Sequence, residues 1–200
     1  MEMYGQAIAG LVDKALILSE SIDLTPLAVS AKPLVIPLDN QGYRLARKAG
    51  VLTRPAVEWT GDSELLGDSV PAEQVEGDIG LVTEVAYLRL GDLHVAAIPG
   101  ELYPELVYGE FQEPADPGAD FIDAPLETPV MDILPGQRKL LLGLANDEVV
   151  YIVPKRQWDV EPPFCYGRNS AQYGEVNSCG PETARILSEA LAKRVQELSP

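Results

Sequence analysis

Three short polar clusters stand at the ends of apolar, β-rich runs, the position from which open sheets present functional groups. The first is Pro99-Gly100-Glu101, where a run stops, a glycine lets the backbone turn and a carboxylate follows. The second is Gly143-Leu144-Ala145-Asn146-Asp147-Glu148, with Tyr151 just beyond it. The third is Tyr173-Gly174-Glu175-Val176-Asn177-Ser178, ahead of the closing helical pattern. A carboxylate, phenols and a side-chain amide are oxygen-based chemistry. Each cluster also has a plain architectural reading: Glu101 complementing a helix N-terminus, Asn146-Asp147 as a turn, Tyr151 as a core ring with a satisfied hydroxyl, and the third cluster as loop packing.

The chain lacks a glycine-rich phosphate loop, a GxSxG elbow, a CxxC pair and an HExxH helix. It has one histidine, His94, set between Leu93 and Val95 in a strand pattern, which reads as structural. A catalytic zinc site takes about three protein ligands, so a histidine-rich centre cannot be built from this chain alone. Cys165 and Cys179 fit either one disulfide or two free thiols.

The elements that must position these clusters are legible in outline. Tyr4, Ile8, Leu11, Val12, Ala15 and Leu18 recur at helical spacing, so an amphipathic helix opens the chain without a recognisable cap, as at a boundary inside a longer protein. Lys32 to Leu38 reads as a strand. Asp39-Asn40 caps a helix over Tyr43 to Ala49 that Gly50 ends. Thr83 to Leu90 and Leu93 to Ile98, parted only by Gly91-Asp92, predict a hairpin. Helical spacing then covers Glu101 to Phe111, with Pro104 in its first turn. Residues 112–137 carry five prolines and many acids and read as a long irregular excursion. Lys139 to Leu144 and Val149 to Val153 form a second pair of apolar runs, 155–178 is loop-like, and Pro181 opens a closing helix through Leu198. The whole is a mixed α/β (α+β) single domain over 1–200, with one main sheet and helices packed on it.

With 46% hydrophobic residues in 200, the chain can bury one core. Fifteen Lys and Arg stand against 31 Asp and Glu, a net charge of -16 that repels phosphate backbones, so nucleic acid is excluded as a partner. No apolar run approaches the roughly 20 residues that span a bilayer. The first ten residues contain no Lys or Arg, unlike the basic start of a secretory signal.

Taken in order, Ile98-Pro99-Gly100-Glu101, Leu142-Gly143-Leu144-Ala145-Asn146 with Tyr151-Ile152-Val153-Pro154, Tyr173-Gly174-Glu175 with Asn177-Ser178, and Gly180-Pro181-Glu182-Thr183 resemble the neutral/alkaline (non-lysosomal) ceramidase family and its uncharacterised bacterial relatives. The resemblance covers roughly residues 95 to 198. It implies a zinc-dependent amidohydrolase acting on an N-acyl sphingoid lipid, with the metal held by two histidines from the earlier part of the catalytic domain and a glutamate and a tyrosine from the later part. On this sequence the glutamate matches Glu101 and the tyrosine Tyr151. Gly100, Asn146 and Tyr173 would lie behind or beside them. Neither the two histidines nor the serine-bearing segment has a counterpart here. The resemblance therefore implies the C-terminal half of such a domain, carrying half of a zinc site and inactive alone.

Its partners would be the missing N-terminal half or a second copy, and a homo-oligomer is expected, because apolar surface once covered must be covered again. A second expectation is a non-catalytic binding or assembly module that keeps the fold. A third is a homo-oligomer with a carboxylate-only site from the acidic loop, suited to calcium or magnesium.

Overall fold

The computed structural model describes residues 2–199. Its elements are α1 (Glu2–Ile17), β1 (Leu27–Pro37), α2 (Gln41–Lys48), β2 (Ala56–Glu58), β3 (Ser69–Val70), β4 (Ile79–Leu90), β5 (Leu93–Ala97), β6 (Glu101–Leu102), α3 (Pro104–Tyr108), α4 (Val130–Ile133), β7 (Arg138–Leu142), β8 (Tyr151–Ile152), α5 (Tyr173–Val176) and α6 (Thr183–Glu197). The mixed α/β expectation holds: a six-stranded sheet is built around β4, and a second, two-stranded sheet joins β6 to β8.

β4 is the spine because its 12 residues, continuously apolar or β-branched at its start, pair along their length. β1 runs antiparallel on one flank. The other flank takes β5 through the tight turn at Gly91 and, at the far end, β2 followed by β3. β7 adds parallel to β5. Side chains alternate faces along a strand and register partners share one. The inner face, with Ile36, Val85 and Ala96, is closed by α6, which buries Ile186, Leu187 and Leu191 against it. The α6 hydrophobic stripe is what the sequence spacing requires; at about 25 cal/mol per Å² removed from water, it is the main stabilising contact of the sheet.

The outer face is different. Its middle row runs Val29, Leu88, Val95 and Leu140 across four strands, with Val29 and Leu140 exposed and Val95 buried between them, and α6 lies on the opposite side. The opening helix α1 does not cover it either; from Met3 to Ile17 every residue is exposed except half-buried Gly10.

Several sequence expectations are corrected. The strand read at Lys32 to Leu38 starts earlier, at Leu27, where Ala and Ser dilute the apolar signal. Glu101 is not at a helix N-terminus: it opens β6, and the helix starts at Pro104, whose fixed φ suits the first turn. The runs at Lys139 to Leu144 and Val149 to Val153 do not pair with each other; β7 joins β5 and β8 joins β6, both in parallel. The acidic excursion 112–137 is irregular apart from α4. Asn40 does cap α2, its side chain accepting from the Tyr43 amide at 3.1 Å. Both cysteines are buried and free, and burial pushes each thiol up to about 12. No described helix is long and apolar enough to cross a membrane.

Candidate functional site

The sequence clusters converge beyond the C-terminal ends of the parallel pair β5 and β7. Leaving β5, the chain is held against the end of β7: the Ile98 amide donates to Leu142 O at 2.9 Å, and the Leu144 amide to Gly100 O at 3.1 Å. Gly100 then passes so close to β8 that an added Cβ would lie 2.5 Å from Val150 O and 2.9 Å from Ile152 Cδ1, which is why a glycine stands there. The Glu101 amide donates to Val150 O and the Tyr103 amide to Ile152 O, completing a short parallel ladder.

In that ladder Glu101 is the register partner of Tyr151. Neighbouring strands lie about 4.8 Å apart and partners point to the same face, so the carboxylate and the phenol stand side by side. Their proximity has an electrostatic signature: the Glu101 charge, more than burial, raises the Tyr151 phenol above its ordinary value, with Tyr173 adding to it. The Tyr173 ring meets Tyr151 edge-on, with centroids 5.7 Å apart at 74°. The Tyr151 amide donates to Asn177 O at 3.0 Å, so the third cluster is fastened to the second through backbone as well as rings.

Four of the five sequence-derived site residues, Gly100, Glu101, Tyr151 and Tyr173, are therefore brought together. Asn146 is exposed in the turn before β8 with φ +68°, a left-handed conformation that asparagine tolerates, and it acts as turn chemistry. His94 is elsewhere, on the inner face of β5, with Nδ1 2.6 Å from the Tyr87 hydroxyl. Burial, together with Arg89, holds its pKa below the ordinary histidine value, and the ring is half-buried against Tyr87.

A layer behind Tyr151 was not selected from the sequence. The Tyr103 phenol is pushed up to about 12 by burial and by Glu175. Glu175, 2% exposed, is itself raised to about 7 by burial, with Asp159 and Asp120 adding to the rise. The only available signal was the acid inside Tyr173-Gly174-Glu175, which does not reveal what surrounds it. Glu175 and Ser178 also line an open, largely apolar groove of about 760 Å³ together with Asp39, Tyr43, Trp158 and Cys179.

A zinc ion fits this donor set in part. Glu101 and Tyr151, as register partners, offer two hard oxygen donors of the types zinc accepts. No cluster of three or more His, Cys, Asp and Glu suited to a metal occurs among the described residues, so Glu101 and Tyr151 alone do not make a metal centre.

No family model and no curated protein matches the sequence. Among solved structures the chain is similar to the neutral ceramidase from Pseudomonas aeruginosa, at 15% identity and a TM-score of 0.36 over 59% of this chain. The chain spans only 15% of that protein's length. The neighbour is a ceramidase, the family the motif order resembles, but an overlap this shallow carries no argument by itself.

Proposed function

We propose that this chain is the C-terminal part of a ceramidase-like amide hydrolase and contributes Glu101 and Tyr151 to a zinc site completed by imidazoles from another segment. The observation that supports it is the parallel pairing of Glu101 with Tyr151: two oxygen donors from separate sequence clusters, held side by side by a ladder that only a glycine at position 100 permits. When bound, zinc supplies polarisation of the amide carbonyl and acidification of a water. This chain's own part is to fix the two donors, to brace Tyr151 with Tyr173, and to offer an apolar-walled groove nearby. The substrate class of the reading is an N-acyl lipid or related amide.

The test is zinc titration of the isolated chain, followed by titration and amidase assay with a histidine-bearing upstream segment supplied in cis or in trans. The reading expects weak zinc binding and no hydrolysis from the chain alone, and both when the segment is present. Stoichiometric, tight zinc binding by the chain alone that survives Glu101→Ala and Tyr151→Phe would overturn it.

A non-catalytic binding module on the same fold is the second reading. It is favoured by the engagement of His94 with Tyr87, which leaves this chain's one imidazole away from the pair. A native upstream sequence without spaced histidines would select it.

A further inference from the structure

The chain carries two exposed apolar surfaces, one on the outer sheet face and one on α1. On the outer face of the sheet, Leu27, Val29, Leu140 and Leu142 are 42–63% exposed, and Leu88 and Leu93 between them are half-buried. On α1, Tyr4, Ile8, Leu11, Val12 and Leu16 fall on one arc wider than 100°, every one of them exposed, with Gln6, Asp13 and Lys14 opposite alongside the exposed Met3 and Ile17. We propose that α1 of one molecule docks on the outer sheet face of a second copy, and reciprocally, so that the chain forms a two-fold, helix-exchanged dimer.

The size of the surfaces favours exchange over sheet-on-sheet contact. Four strands about 4.8 Å apart and five residues long present a patch roughly 19 Å by 17 Å. That is well short of the ~800 Å² per partner of a standard interface. A 16-residue helix is about 24 Å long, enough to cross the patch, and exchange gives each molecule both a helix and a face to bury.

The connector ties the end of α1 to the rim of the sheet. Ser19 closes the helix, its amide and hydroxyl both donating to Leu16 O, the hydroxyl at 2.7 Å. The next residue, Glu20, already pairs with Arg138 at the start of β7, and Asp23 O accepts from the Asp92 amide at the β4–β5 turn. Docking α1 on a second copy leaves these contacts in place. The dimer uses neither Glu101 nor Tyr151.

The test is light scattering on the full chain over a dilution series. The expected result is a dimer that dissociates on dilution. Ile8→Glu with Leu11→Glu, on an unpacked helix whose change cannot unfold the core, halves the molar mass; Val29→Glu with Leu140→Glu does the same. Mixed together, the two monomeric variants form a heterodimer, because the first keeps an intact face and the second an intact helix. A wild-type monomer at every concentration, a dimer that both double variants leave intact, or variants that fail to complement would each overturn the proposal. Strong hydrogen-exchange protection of α1 in a monomer would place the helix on its own sheet and overturn it as well.

Discussion

Asp159 and Glu175, 0% and 2% exposed, share one donor: the Gln172 side-chain amide reaches Asp159 Oδ2 at 3.3 Å and Glu175 Oε1 at 3.4 Å. Asp159 Oδ2 also accepts from the Cys165 amide, while Asp159 Oδ1 and Glu175 Oε2 have no partner among the described residues. A carboxyl buried this deeply beside another acid is pushed toward its neutral form. Glu175 is such a group, raised from 4.5 to about 7.

Its consequence for stability has a definite sign. Between pH 4.5 and about 7 the folded chain holds the Glu175 proton and the unfolded chain does not, so stability falls as pH rises through that window. Glu175→Gln keeps the neutral form at every pH. It is expected to raise the melting temperature relative to wild type at pH 8 and to leave it nearly unchanged at pH 5. A pH-independent difference in thermal melts would reject the assignment, and Arg168, whose charge opposes the rise, gives the converse probe.

Gly100→Ala tests the close approach of the two short strands. The new methyl would press on Val150 O and Ile152 Cδ1 in a buried position, and overpacking of that kind costs about 1–3 kcal/mol. Denaturant titration should show that loss, and the Tyr151–Tyr173 ring contact should loosen in near-ultraviolet circular dichroism. A substitution within about 0.5 kcal/mol of wild type would mean that β6 and β8 separate freely.

What could be read from the sequence was local. The Asn40 cap, the Gly91-Asp92 turn and the α6 stripe each lie within a few residues of the chain, and each stands as expected. The parallel pairings were not legible, because β7 and β8 look like consecutive strands and their partners, β5 and β6, are distant in sequence. Helical spacing after Glu101 hid β6, since two residues are too few to show a period. The α1 stripe was visible, but amphipathicity announces an apolar surface without naming what covers it. Glu101 and Tyr151 were singled out through motif order; the environment of Glu175 depends on Asp120 and Asp159, brought in by two separate loops that have no periodicity.

Arg54 anchors the turn from which β8 starts. Its guanidinium donates to Asp147, to Glu148 O at 2.9 Å and to Val82 O at 2.7 Å, tying the turn to β4. Burial alone would raise the Asp147 carboxyl, but donation from Arg54 and Thr83 outweighs it and holds the pKa below its ordinary 3.8. The stabilisation is present above the unfolded pKa and is lost as pH falls through the folded one. Arg54→Ala is expected to cost about 1–3 kcal/mol at neutral pH, for the hydrogen bonds to a charged group, and less near pH 3. Equal losses at both pH values would separate the turn's stability from that ion pair.

The pairing of Glu101 with Tyr151 can be tested without any metal. The carboxylate is the leading cause of the raised phenol, ahead of burial and of Tyr173. Glu101→Gln removes the charge while keeping the side-chain length, so the Tyr151 phenol should titrate at lower pH, followed as phenolate absorbance near ~295 nm and assigned by its loss in Tyr151→Phe. Tyr173→Phe should lower it by less, since Tyr173 ranks third among the causes. High salt should shrink the Glu101 effect, because the pair is open to solvent and screening acts on exposed charges. If Glu101→Gln leaves the Tyr151 titration where it was, the two side chains do not face one another, and the shared oxygen site built on their register loses its footing.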